Sequence, residues 1–142
     1  MADAMNDIEA IKQLKARYFR TMDTKDWDAM RQVFTDDVVM DTTAAGGNLV
    51  TGADEFLAFL RGALGDATTV HQGHMPEIEM TSATTATGIW ALHDLVRWGN
   101  GMRLEGYGHY HETYVKTDGE WRIASSTLTR LHQEITQGEG GT

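Results

Sequence analysis

Thr85-Ala86-Thr87-Gly88-Ile89-Trp90-Ala91-Leu92-His93-Asp94-Leu95-Val96-Arg97-Trp98, followed at once by Gly99-Asn100-Gly101, decides the fold. Side chains alternate between the two faces of a strand, so one face of this run carries Trp90, Leu92, Asp94, Val96 and Trp98. The other face carries Ile89, Ala91, His93, Leu95 and Arg97. Asn-Gly accepts the positive φ of a tight hairpin turn, and Asp118-Gly119 repeats that signal downstream. Extended segments are therefore expected at about 68–80, 84–98, 103–117 and 120–133, joined as an antiparallel meander.

The sequence before Thr68 has a different period. Asn6-Asp7-Ile8-Glu9 has the spacing of a capping box, and Ile8, Ile11, Leu14 or Lys15, Tyr18 and Met22 then recur as one helical stripe. A second short helix is expected to place Trp27, Met30 and Phe34 on one face and to end at Thr35-Asp36-Asp37. Val38 to Thr43 is rich in β-branched residues and reads as a strand, and Gly46-Gly47-Asn48 reads as a loop. Ala53 to Leu64 reads as a third helix with Phe56, Leu57, Leu60 and Leu64 inward and Gly65 as its stop. Helices first and a meander second imply an α+β fold, with three helices packed on the concave side of a curved, cone-shaped sheet that leaves room for a pocket. Residues 1–5 and 136–142 are expected to be loose around a single domain.

The chain has 142 residues, enough for one domain with a substantial core, and 41% of them are hydrophobic. It has no cysteine, which excludes disulfides, thiolate metal sites and a cysteine nucleophile. Twelve Lys and Arg against 21 acids give a formal charge of −9, which repels phosphate backbones and anionic membranes. No nucleic-acid or membrane partner is expected. The N-terminus lacks the basic and apolar regions of a signal peptide, and the expected location is cytoplasmic.

Asp94 is the most informative residue. It is the lone carboxylate on an otherwise apolar strand face, where an unpartnered charge is costly. His71 on the preceding extended segment is its expected partner, because a carboxylate on one ring nitrogen fixes the tautomer and raises the basicity of the other. Ile78 and Met80 share a phase that excludes His71, and a bulge near Gly73 and Pro76 would reconcile them. Tyr18 and Asp23 lie five residues apart, about 140° around a regular helix, and converge on one pocket only if the helix ends or turns near Asp23. His109 and His111 share a strand face, and His71 and His74 lie three apart. Glu112, however, follows at once instead of several residues further on, as the paired-histidine cupin pattern wants. No metal and no cofactor is expected.

Several stretches resemble the SnoaL-like branch of the NTF2-like superfamily, which includes bile-acid 7α-dehydratase and scytalone dehydratase. The carriers are Ile8 to Phe19, Asp26-Trp27, Val70 to Ile78, Thr85 to Asp94, Gly106 to Tyr110 and Gly119 to Ile123, so the resemblance spans Ile8 to about Leu131. It implies a cone-shaped α+β barrel with a pocket open at one end. It also implies a dehydratase-type site, onto which Tyr18, Asp23, His71 and Asp94 map. Relatives often carry an arginine near Thr127, where this chain has Ser126-Thr127; Arg130 is the residue that would have to substitute.

The expected activity is that of a cofactor-independent lyase, a dehydratase of a hydrophobic cyclic hydroxy-ketone, steroid-like or polyketide-like. His71, oriented by Asp94, would remove a proton next to a carbonyl. Tyr18 would donate to the developing oxyanion or the departing hydroxyl, and Asp23 would assist. Phe34, Met40, Leu57, Trp90 and Tyr110 are expected to line the substrate pocket. An isomerase or cyclase on the same scaffold, and a non-catalytic binding or assembly module, are the alternatives. A homo-oligomer, dimer or trimer, is expected because the open face of a cone-shaped sheet is usually covered by another copy.

Overall fold

The computed structural model describes residues 2–138. Helix α1 (Ala2–Asp23) buries Ile11, Leu14, Lys15, Tyr18 and Met22 of the expected stripe and Phe19 beside it, while Ile8 is half-buried. It begins before the expected capping box. Asn6, the cap position of that box, lies inside the helix, and the Asp7 carboxylate accepts from Trp121 Nε1 (3.0 Å) and Lys116 Nζ (3.1 Å), contacts that hold it below the usual aspartate range. Residues 2–5, expected to be loose, are helical, while Met1 and residues 139–142 of the expected loose ends lie outside the described residues.

The short helix α2 (Trp27–Arg31) is capped by Asp26 and stops earlier than expected. Phe34 does not belong to it. Strand β1 (Phe34–Asp41) starts there, and Thr35-Asp36-Asp37 lies inside the strand rather than ending a helix. The cause is tertiary: β1 pairs in parallel with the last strand, Phe34 opposite Ile123, with an irregular register before Val39. A single 3₁₀ turn (Thr43–Ala45) and the short strand β2 (Leu49–Thr51), not anticipated from the sequence, lead into α3 (Ala53–Leu64). Gly65 follows α3 with φ −57°, so it is not a left-handed stop; its hydrogen atom leaves space for the Arg61 carbonyl, which a Cβ would meet.

Strands β3 (Thr68–Met80), β4 (Thr85–Arg97), β5 (Arg103–Thr117) and β6 (Glu120–Thr136) form the meander. Asp118 and Gly119 both have positive φ (53° and 80°), as the tight turn between β5 and β6 requires. The six strands make one open, curved, mixed sheet in the order β2-β1-β6-β5-β4-β3, with three helices. On β4, Ala86, Gly88, Trp90, Leu92, Asp94 and Val96 are all buried, the alternation read from the sequence.

Bulges decide which side chains reach the concave face. In β3 the register with β4 shifts between His74 and Glu77, and Met75 takes a positive φ of 44° there. The shift puts Thr69 and His71 inward before the bulge, and Ile78 and Met80 against the core after it. In β6 the register with β5 shifts between Thr113 and Tyr114 and again between Tyr107 and Gly108. Trp121 and Ile123 are buried before the first shift, and Ser126 and Leu128 after it. Among the described residues no helix is long and apolar enough to cross a membrane.

Candidate active site

A cavity of about 440 Å³ opens between α3, the end of α1 and the concave face of β3–β6. That size lies within the ~300–1,000 Å³ range of small-molecule pockets. Its wall is mostly apolar, with Met22, Phe56, Leu60, Val96 and Leu128 among its residues, and the 42–48 loop and Trp98 stand at its side. Its polar groups are few: Tyr18, His71, Asp94, Tyr110 and Arg130 from five different elements, with Thr42, Asn48 and Gln133 further out.

His71 sits on β3 with its side chain 7% exposed, stacked on Phe19 at 6.3 Å between centroids. Its partner is Asp23 rather than Asp94. Nδ1 lies 2.7 Å from Asp23 Oδ1, and the His71 backbone N–H donates to Asp23 Oδ2 (2.8 Å). Thr69 Oγ1 also donates to Asp23 Oδ1 (2.9 Å), and Lys25 Nζ donates to Thr69 (2.8 Å). An ionised carboxylate only accepts, so Nδ1 is the donor in this contact, and in the neutral imidazole Nε2 then keeps its lone pair. Nε2 has no hydrogen-bond partner among the described residues, and the ring borders the cavity. The condition set by helix geometry is met: α1 ends at Asp23, and a turn through Lys25, φ 60°, follows.

Asp94 stands directly across from His71 in the β3–β4 register, yet its carboxylate is taken. Arg130 grips it with both ends of its guanidinium, Nη1 to Oδ1 at 2.7 Å and Nη2 to Oδ2 at 3.0 Å. Arg130 Nε is in turn held by Gln133 Oε1 (3.0 Å). The expected orientation of His71 by Asp94 is therefore corrected: the planar fork of Arg130 fits the carboxylate bidentately, while the end of α1 delivers Asp23 to the imidazole. Arg130 does reach the pocket from the last strand, because the bulge in β6 restores its inward phase; Thr127 faces out.

Tyr18 and Tyr110 line the cavity and their phenol groups are shifted well above the usual range, first by burial; Glu112 adds to the shift of Tyr18, and Tyr18 to that of Tyr110. Neutral phenols of this kind donate hydrogen bonds. Phe34, Met40, Leu57 and Trp90, expected as pocket lining, lie instead in the main core. Phe34 packs against Phe56 and Tyr18, and Trp90 donates its indole N–H to Tyr114 (3.0 Å).

One constellation was not singled out from the sequence. Lys15 is wholly buried on the inner face of α1, 2.7 Å from Glu112 Oε2 on β5. Its ammonium lies over the rings of Tyr110 (3.6 Å to the centroid) and Tyr18 (3.8 Å). Glu112 also accepts from Ser126 (2.8 Å) and Tyr114 (2.7 Å), so the carboxylate is fully occupied. The signal was available: Glu112 shares the inward phase of Tyr110 and Tyr114, as Asp94 shares that of Leu92. The paired His109 and His111 lie 6.4 Å apart between ring centroids, and His111 bonds Thr129. Among the described residues no cluster of three His, Asp or Glu is arranged to hold a metal ion.

An open curved sheet, three helices and an apolar cavity lined by a histidine that an aspartate holds from behind define the class of this protein. Residues 3–127 match the SnoaL-like domain, and the chain belongs to that family within the NTF2-like superfamily. Its fold is similar to that of a candidate scytalone dehydratase from Novosphingobium aromaticivorans (TM-score 0.86, 21% identity, 98% of this chain and 93% of that one). It is similar also to a type 2 hexachlorocyclohexane dehydrochlorinase, LinA (TM-score 0.85, 19% identity, 99% and 96%). In sequence it is 23% identical over 137 residues to a probable cyclase, FGR4, of Gibberella zeae, covering 88% of this chain and 91% of the relative.

Proposed function

We propose that this chain is a cofactor-independent lyase, a dehydratase acting on a hydrophobic cyclic hydroxy-ketone of steroid-like or polyketide-like shape. One observation carries the reading: an imidazole that lines an apolar cavity, with one nitrogen fixed at 2.7 Å by a carboxylate and the other without a protein partner among the described residues. His71 Nε2 takes the proton from the carbon next to the carbonyl. The electron pair left behind moves onto the carbonyl oxygen, where Tyr18 and Tyr110 donate hydrogen bonds to the oxyanion. The electrons then return to form the carbon–carbon double bond, the β-hydroxyl leaves, and the protonated His71 supplies the proton that makes it water. Asp23 holds the imidazole in place through both charge states and is a positioning residue, a role different from the proton delivery expected from the sequence.

Names among the relatives support this chemistry at the level of class, since dehydration, dehydrochlorination and some cyclisations share proton abstraction from carbon. An isomerase or cyclase would use the same base and return the proton to the substrate. Mass spectrometry on a panel of cyclic β-hydroxy-ketones separates these outcomes: product lighter by one water for the lyase, unchanged mass for the others. His71→Ala should stop turnover of any substrate so found; a folded His71→Ala protein that turns over at the wild-type rate overturns the mechanism. We place the chain in the cytoplasm as a homo-oligomer, dimer or trimer. Val70, Tyr107 and Leu131, large apolar side chains left exposed on the strands, support self-association, and light scattering of the purified protein tests it.

A further inference from the structure

Among the described residues that line the cavity, Arg130 is the only Lys or Arg and Asp94 the only Asp or Glu. Each is spent on the other. The pair is bidentate, with side chains 10% and 6% exposed, and Gln133 holds the remaining Nε donor. The two residues come from strands on either side of β5, and they meet over Gly106, the register partner of Asp94. A Cβ at 106 would stand against the guanidinium and 2.9 Å from Asp94 Oδ1, so the glycine is what lets the pair close across the middle strand. An arginine free in such a pocket would draw a carboxylate or phosphate into it. Here Asp94 neutralises the guanidinium and occupies its bidentate end, so an incoming anion takes that end only by displacing Asp94 and leaving the carboxylate buried without a partner, an unfavourable exchange. The Asp23 carboxylate behind His71 and the overall charge of −9 act in the same sense.

We propose that the Asp94–Arg130 pair is the charge filter of this pocket, restricting it to uncharged ligands, and that Asp94 is the residue that denies anions the guanidinium. This rests on the cavity being the binding site of the proposed lyase, and it narrows that substrate to neutral molecules without a carboxylate, sulfate or phosphate near the reacting ring.

The test needs no turnover. Binding of three probes of one shape, 1-naphthol, 1-naphthoate and 1-naphthylmethylamine, is measured by fluorescence or calorimetry at pH 7 and fixed ionic strength. The wild-type protein should bind naphthol at least tenfold more tightly than either ion. Asp94→Asn should tighten naphthoate at least tenfold, and adding Arg130→Gln to it should remove the gain. Arg130→Gln alone should do the reverse and admit the ammonium. Circular dichroism checks the fold of each variant, and either single variant suffices if the other does not fold. Wild-type protein that takes naphthoate as readily as naphthol overturns the proposal, as does a folded single variant with unchanged charge preference. The lyase reading fails separately: a His71→Ala protein with full turnover removes the base and leaves the filter intact.

Discussion

The pocket wall and the sealed layer beneath it are built from the same chemistry, a cation or imidazole against a carboxylate, and they differ in one respect. Beneath the wall, Lys15 and Glu112 are both fully buried, and each oxygen of Glu112 has a protein partner. On the wall, His71 is fixed by Asp23 at one nitrogen, and the other has no protein partner among the described residues. A completed set of partners holds structure; an incomplete one can do chemistry. The Asp94–Arg130 pair lies between these cases, saturated within itself yet facing the ligand space.

The comparison is broken most directly at the imidazole. His71→Ala should lower turnover by about 10²–10⁴-fold, the usual contribution of a general base, with little change in urea denaturation. Asp23→Asn keeps the shape but removes the acceptor that fixes the tautomer, and should approach the same loss of rate; steady-state kinetics on the substrate found by screening measures both. Removing one member of the sealed pair should have the opposite profile. Lys15→Met should cost about 3–5 kcal/mol of stability because it strands a buried carboxylate, whereas Lys15→Met with Glu112→Gln should recover much of that loss. Chemical denaturation curves of the two variants decide it.

The buried phenols of the wall and of the layer beneath it also set a pH dependence. Tyr18, Tyr110 and Tyr114 are all raised above the ordinary phenol value near 10, primarily by burial. The folded state therefore keeps protons that the unfolded chain releases above that pH. The stability these groups contribute is intact below about pH 10 and falls as pH rises toward their folded values. Lys15, lowered by burial, works in the opposite direction, one group against three. Ultraviolet titration should show these phenols ionising together with loss of the circular dichroism signal, not before it. The smallest effect belongs to a third kind of pair, at the surface. Asp54 is 82% exposed where it meets Arg31, and Asp54→Ala should change stability by about 1 kcal/mol or less.

Against these regions, the reach of sequence reading can be judged residue by residue. The inward phase of Asp94 was legible because β4 runs without interruption from Thr85 to Arg97, and a period of two carries any residue in it to a known face. Glu112 is equally legible on β5, where it shares the inward phase of Tyr110 and Tyr114. Arg130 was not legible in the same way. Its face depends on the register shift between Ile123 and Ser125 in β6, and such a shift exchanges inside for outside. The Asp94-to-His71 pairing failed for a related reason. Opposition across two strands was sound, but the choice between two carboxylates lay with where α1 ends and where Arg130 points.

The amino-acid sequence by itself determined the order of helices and strands, the position of α3, the hairpin turns and the stripe of α1. These follow from local periodicity and from residues that tolerate positive φ, properties that act within a few positions of the chain. Only the tertiary structure decided that Phe34 to Asp37 joins a strand, that Asp23 holds His71, and that Asp94 and Arg130 close over Gly106. Those outcomes depend on parallel pairing, bulges and hydrogen-bond competition between residues 36 to 48 positions apart, whose energies exist only once the strands have met.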